Sequence, residues 1–394
     1  MSGNCCRESR KSCLERTVHI LIAPNAFKNS LDATAAAEAI REGLQRSKLI
    51  CTCECFPVGD GGDGTATLLI QKCGGTIMPA EVHDPLGRKI RAGFGLIDNG
   101  RTAVIEMADA SGLRLLRREE FDPLRATTFG TGELIKCALD KRVNKIIIGI
   151  GGSATVDGGA GILQALGVRF LDAVGKNLSN LPEDLASLES IDLSGLDQRI
   201  SDCALTVLCD VENPLLGEQG AAKVFGPQKG ATGPVIKKLE AALTKLRDVM
   251  FRQTGKDLAA IKHGGAAGGV AAGLQGFLNA TLVPGIDYFL DITGFEDALQ
   301  KADLVITGEG SLDEQTMRGK GPFGVALRAR EKNIPVIGQA GRVALESDAP
   351  LRQYFTELLA IGHTSVEMDK AIQNTAQDLQ RTAMELGNRL ALKR

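Results

Sequence analysis

Ile50-Cys-Thr-Cys-Glu-Cys-Phe-Pro-Val58 runs into Gly59-Asp-Gly-Gly-Asp-Gly-Thr65 and then into an apolar-periodic stretch ending near Lys72. That is a strand feeding a glycine-rich loop that opens a helix. The same unit occurs once upstream. Val18-His-Ile-Leu-Ile-Ala-Pro24 reads as a buried parallel strand, residues 24–30 as its loop, and Asp32 or Ser30 as the cap of an alanine-rich helix reaching about Lys48. Two such units in succession open a doubly wound sheet.

Beyond Thr76 the rhythm changes. Residues 81–107 form short alternating runs broken by Asp84-Pro-Leu-Gly87 and Asp98-Asn-Gly100, the turn chemistry of an antiparallel meander. Strands follow at 145–150 and 205–211, with helices across 132–141, 235–252 and 264–278. After Ile286 the β-loop-α rhythm returns. Strands are expected at 303–307, 335–338 and 357–361, a long loop over 308–322, and a last helix from about Asp369 to Leu392. The outer segments thus supply five strands, and the expected fold is a flavodoxin-like five-stranded parallel sheet with a large inserted α/β domain. The expected division is a disordered extension over 1–16, a discontinuous domain of 17–75 plus 288–394, and an inserted domain of 76–287. With strand order 2-1-3-4-5 the winding reverses between the first and third strands, and ligands bind at such a switch point. The loops there are 24–30 and 308–320, with 59–65 alongside.

Composition narrows the function. The 394 residues carry a formal net charge of −2, and 4% are aromatic, a poor basis for gripping nucleic acid. No apolar run nears the ~20 residues that cross a bilayer. Ten cysteines lack a CxxC pair, and Cys51, Cys53 and Cys55 alternate on one strand face, so they read as reduced thiols buried like small hydrophobes in a cytoplasmic protein. Forty-seven glycines are the outlier, and they cluster in loops where backbone must approach something closely.

Gly59-Asp-Gly-Gly-Asp-Gly64 matches GxGxxG formally, but Asp60 and Asp63 would repel a pyrophosphate unless a metal intervened. Two carboxylates so spaced suit a divalent cation or proton transfer, while a simple helix cap needs only one. Gly149-Ile-Gly-Gly-Ser-Ala-Thr-Val-Asp-Gly-Gly159 offers free amides around Gly151 and Gly152, hydroxyls at Ser153 and Thr155, and Asp157 as a metal or acid/base group ahead of Gly158. Gly308-Glu-Gly-Ser-Leu-Asp-Glu-Gln-Thr316 adds Glu309, Gly310 and Asp313, with Arg318 and Lys320 beyond. Lys28 can neutralise a phosphate or a carboxylate. Gly264-Gly-Ala-Ala-Gly-Gly269 either binds an anion or packs closely. No GxxxxGK[ST] is present, so phosphoryl transfer here would not be of the P-loop kind.

Taken together with Ala23-Pro-Asn-Ala-Phe-Lys-Asn-Ser-Leu31, Cys209-Asp-Val-Glu-Asn-Pro-Leu215 and Val224-Phe-Gly-Pro-Gln-Lys-Gly-Ala-Thr232, these motifs make the chain resemble the bacterial-type glycerate kinase family from about Val18 onward. The resemblance implies transfer from ATP, with Mg²⁺, to glycerate, giving 2-phosphoglycerate rather than 3-phosphoglycerate. Carried onto this sequence, it nominates Lys28, Asp60, Asp63, Asp157 and Asp313 as catalytic candidates. Gly61, Gly62, Gly151, Gly152, Ser153, Gly158, Gly268, Glu309 and Gly310 are the nucleotide-binding candidates, and Asp60 with Asp63 the metal pair. The expected partner is the small substrate, with neither nucleic acid nor membrane, and a homodimer is the assembly to test. A nicotinamide oxidoreductase and a non-catalytic metabolite sensor are the rival readings; the first lacks an acidic ribose partner after a βαβ unit, and the second has no use for so many loop carboxylates.

Overall fold

The computed structural model describes residues 17–317, 319–344, 349–362 and 368–393. The 1–16 extension and Arg318 lie outside the described residues. Five parallel strands, β1 (Val18–Ile22), β2 (Cys51–Cys55), β11 (Leu304–Leu312), β12 (Val336–Val343) and β13 (Glu357–Ala360), form one sheet in the order β13-β12-β11-β1-β2. Renumbered within the sheet this is 2-1-3-4-5, the doubly wound order expected from the strand count. Asp32 caps the first helix, Ala33–Gln45, its Oδ1 accepting from the Ala35 amide at 2.8 Å. That helix packs against the terminal helix Met368–Leu392 so tightly that a Cβ on Gly43 would lie 2.2 Å from the Gln380 carbonyl.

The middle of the chain builds a mixed six-stranded sheet, β10-β9-β6-β5-β4-β3, from β3 (Thr76–His83), β4 (Lys89–Ile97), β5 (Thr102–Glu106), β6 (Lys145–Gly149), β9 (Ala204–Cys209) and β10 (Thr281–Pro284). β3, β4 and β5 are antiparallel, as the turn residues require, while β5, β6, β9 and β10 run parallel. A small pair, β7 (Arg169–Leu171) and β8 (Ser190–Asp192), stands apart. The helix Thr65–Lys72 places Leu69 and Ile70 in one apolar cluster with Ile97, Val104 and Ile147 of the six-stranded sheet and with Leu21 and Val305 of the five-stranded one. This shared core sets the two sheets against each other and brings their loops together.

Two expectations need correction. The segment expected as loop from residue 308 continues as strand to Leu312, with Gly308 opposite Gln339 and Leu312 opposite Val343. Gly308 permits it, since a Cβ there would meet the Gln339 carbonyl oxygen at 1.9 Å. The helix Ala266–Leu278 begins with three successive left-handed residues, Ala267, Gly268 and Gly269, so its opening is a compact turn against the 149–159 loop. Cys51, Cys53 and Cys55 do share a half-buried face and are free thiols, and among the described residues no group of three or more histidine, cysteine or carboxylate side chains is placed to hold a metal by itself.

Candidate active site

The 59–64 loop is wedged where the sheets meet, which explains its glycines. A Cβ on Gly61 would lie 3.1 Å from the Leu208 carbonyl at the end of β9, and one on Gly285 would lie 2.0 Å from the Asp60 carbonyl. A Cβ on Gly151 would press to 2.5 Å from Gly62 Cα, and the Gly151 amide donates to the Gly61 carbonyl at 3.1 Å. The two glycine-rich loops read separately in the sequence therefore touch, backbone against backbone.

Asp60 is 8% exposed. Its carboxylate accepts from Asn25 Nδ2 at 2.6 Å, from the Gly62 amide at 3.2 Å and from the Gly321 amide at 3.4 Å. Three segments distant in sequence thus hold one carboxylate. Around it gather Asp210, at the end of β9, and Glu309 on β11. Burial pushes Asp210 up to about 6 and Glu309 up to about 7; the Asp60 charge adds to both shifts, and Lys28 and Lys320 oppose them. Glu309 Oε1 accepts from Thr316 Oγ1 at 3.1 Å. Asp313 lies 3.8 Å from the Lys320 ammonium and accepts from Ser311 Oγ at 3.4 Å. The Lys28 backbone runs beside Gly310, where a Cβ would lie in ordinary contact, 3.7 Å from the Lys28 backbone nitrogen.

Asp63, expected to work beside Asp60, has other partners. Its side chain is half exposed and pairs with Arg114 at 3.4 Å. Arg114 also pairs with Asp109. Glu106, almost fully buried, accepts from the Gly64 amide at 2.5 Å and the Ala66 amide at 3.1 Å, and burial together with Asp63 pushes it up to about 8. A cavity of about 270 Å³ opens beside Glu106, Asp109 and Arg114, walled by Ile70, Phe94 and Val104.

Asp157 is wholly buried, and its carboxylate accepts from the Thr128 amide at 2.8 Å, Thr128 Oγ1 at 2.7 Å, the Gly159 amide at 3.1 Å and the Gly161 amide at 3.2 Å. It pins the strand-to-helix joint to the 127–129 segment. Gly158 donates to the Gly268 carbonyl at 3.0 Å, and a Cβ on Gly268 would meet the Thr155 carbonyl at 2.1 Å, so those two glycines serve close packing. Gly152, with φ of 69°, turns the loop beside Asp63. Ser153 Oγ accepts from Lys229 Nζ at 2.7 Å.

Several residues of this site were not singled out as candidates from sequence. Asn25 sits next to an apolar strand and looks like turn chemistry. Asp210 shows only as a polar residue ending a strand, and Lys320 as one cation in a long loop. Lys229 carried a faint signal, an isolated lysine in Phe225-Gly-Pro-Gln-Lys-Gly230.

The model of the "Glycerate kinase family" matches residues 20–391. A glycerate kinase of Bacillus subtilis is 45% identical over 95% of this chain and 98% of its own length. A glycerate 2-kinase of Escherichia coli is 41% identical over 95% and 98%. Among solved structures, one assigned to glycerate kinase 2 of Salmonella typhimurium LT2 superposes with a TM-score of 0.80 at 42% identity, covering 96% of this chain and 99% of that one. The match spans both sheets and every loop described above, and the chain belongs to the glycerate kinase family, enzymes that are phosphotransferases.

Proposed function

We propose that the chain transfers the γ-phosphoryl group of ATP to glycerate, giving 2-phosphoglycerate, where the loops of the two sheets meet. The observation that carries this reading is the gathering of three carboxylates, the buried Asp60 and Glu309 and the partly buried Asp210, with the cations Lys28 and Lys320 where the two glycine-rich loops touch. Phosphoryl transfer asks a protein mainly for positioning and charge neutralisation, and this site offers both. Lys28 and Lys320 neutralise the carboxylate of glycerate and the phosphoryl oxygens. Glu309, lifted to about 7, is tuned to take the proton from the attacking hydroxyl near neutral pH. Asn25 and the Gly321 amide hold Asp60 in place.

The donor set also fits magnesium in the form that ion favours, one or two carboxylates completed by substrate phosphates and water. Asp60 and Asp210 would hold it, and bound there it would screen the phosphate charges during transfer. Asp63 faces Arg114 and is not needed for this set. The compartment we propose is the cytoplasm: the described cysteines are free thiols, and no described helix is long and apolar enough to cross a membrane.

Phosphorus NMR of a mixture of protein, ATP, Mg²⁺ and D-glycerate tests the reading directly. The expected product is a phosphomonoester whose phosphorus couples to a single carbon-bound proton at C2, with ADP formed in equal amount. Coupling to two protons would move the transfer to the 3-hydroxyl, and ADP without phosphoglycerate would overturn the assignment.

A pH profile follows from Glu309. A carboxyl whose value lies near 7 is a base only above that pH, so kcat/KM should fall about tenfold per pH unit on the acid side of 7. Glu309→Gln should lower the plateau and remove this limb. A flat profile from pH 5.5 to 8 in the unmodified protein would take the proton-accepting role from Glu309.

A further inference from the structure

Lys229 is 2% exposed and lies on none of the loops assigned above to the carboxylate cluster. Its Nζ donates to Ser153 Oγ at 2.7 Å and to the Thr155 carbonyl at 2.6 Å. Among the described residues no carboxylate lies within ion-pair distance of it. Asp157 is the acid whose charge it feels, but that carboxylate is already occupied by four donors from Thr128, Gly159 and Gly161. A buried ammonium without an anion is costly, and burial pushes Lys229 down to about 7, with the Asp157 charge opposing the shift. Thr155 supplies a second observation. It is fully buried and its Oγ1 has no hydrogen-bond partner among the described residues, a cost borne beside the same lysine. A buried lysine without a carboxylate partner and an unused hydroxyl thus meet at one glycine-rich loop.

We propose that Lys229 is a positioning residue for the phosphate chain of the nucleotide, acting through the Ser153 hydroxyl. The hydroxyl oxygen already accepts from the lysine, so its own hydrogen is turned to donate elsewhere. An oxygen of the polyphosphate is the acceptor that suits it, because charge-assisted bonds to phosphate are the strong ones. The same lysine clamps the Thr155 carbonyl and so fixes the curvature of the loop that carries Gly151, Gly152 and Ser153. The glycerate end of the site, with Lys28, Asp60 and Glu309, is untouched by these bonds. The role rests on the ATP-dependent reading above.

The test is a double-mutant cycle on Lys229→Gln and Ser153→Ala, with KM for ATP and for glycerate measured separately and melting temperatures recorded. Each single variant should raise KM for ATP at least tenfold and leave KM for glycerate within about twofold. The double variant should be no worse than the more severe single, because both changes remove one donor. Folded variants with unchanged KM for ATP, or effects that multiply in the double, would overturn the proposal. Should Lys229→Gln fail to fold, the unmodified protein labelled with ¹⁵N at lysine Nζ decides instead. Adding ADP and magnesium should shift the Lys229 resonance, and no shift at saturating ADP would overturn it. Absence of any ATP turnover in the unmodified protein would instead remove the reading on which the role rests.

Discussion

Replacing Asp60 by asparagine is expected to lower turnover by roughly two to four orders of magnitude, the range for losing an acid/base or charge-stabilising group. Oδ2 accepts from Asn25 Nδ2 and the Gly321 amide and Oδ1 from the Gly62 amide, so an asparagine with its oxygen at the Oδ2 place keeps the first two bonds and loses only the Gly62 one. Shape survives while charge is lost, so the melting temperature should move by only a few degrees. The charge matters beyond Asp60 itself, because it is one reason Asp210 and Glu309 stand high. Removing it should let both ionise at lower pH, and the acid limb of the residual activity should move down from 7. Asp63→Asn is the control. Asp63 pairs with Arg114 from a half-exposed position, where such pairs contribute about 0–1 kcal/mol, and its loss should cost less than tenfold in turnover. Asp63→Asn matching Asp60→Asn in severity would move the reaction toward Arg114 and Glu106; full activity in Asp60→Asn would make that carboxylate a structural one.

The contrast between those two aspartates shows where sequence reasoning stops. Residues 59–64 announce a tight, acidic strand-to-helix joint, and the apolar continuity of runs such as 18–24 and 145–150 marks them as buried parallel strands. Local pattern was enough for those. It failed for β11 beyond Thr307, since Gly-Glu-Gly-Ser looks like loop until β12 is laid beside it. It also missed β10, four residues whose pairing with β9 lies about 75 positions away in the chain. The site divides in the same way. The glycine-rich character of the two loops was legible, and only glycine tolerates the approach of Gly151 to Gly62. Which carboxylate faces which cation was not legible, because Asp60 meets Gly321 and Ser153 meets Lys229 only after both sheets have closed.

Chelation of divalent metal should abolish turnover, leaving less than about one part in a hundred, and added magnesium should restore it. The reasoning is one of charge balance. Asp60, Asp210 and Glu309 crowd one place, and Glu309 and Asp210 are raised first by desolvation and then by the negative charge of Asp60. Lys28 and Lys320 are the cations that oppose this at Glu309 and Asp210, while Lys320 also faces Asp313. Bringing in a polyphosphate and the carboxylate of glycerate adds several more negative charges to a region where water screens them weakly. Two lysines cannot balance that sum, and a small divalent cation bridging carboxylate and phosphate oxygens can. Manganese, which takes a similar oxygen shell, should replace magnesium with turnover of the same order, whereas calcium, larger and less strict in geometry, should support binding of ATP better than its transfer. Measuring turnover in excess chelator, then with each ion restored, separates these cases. Undiminished turnover in the chelator would mean that the lysines alone neutralise the reacting groups, and Asp60 and Asp210 would then need another task.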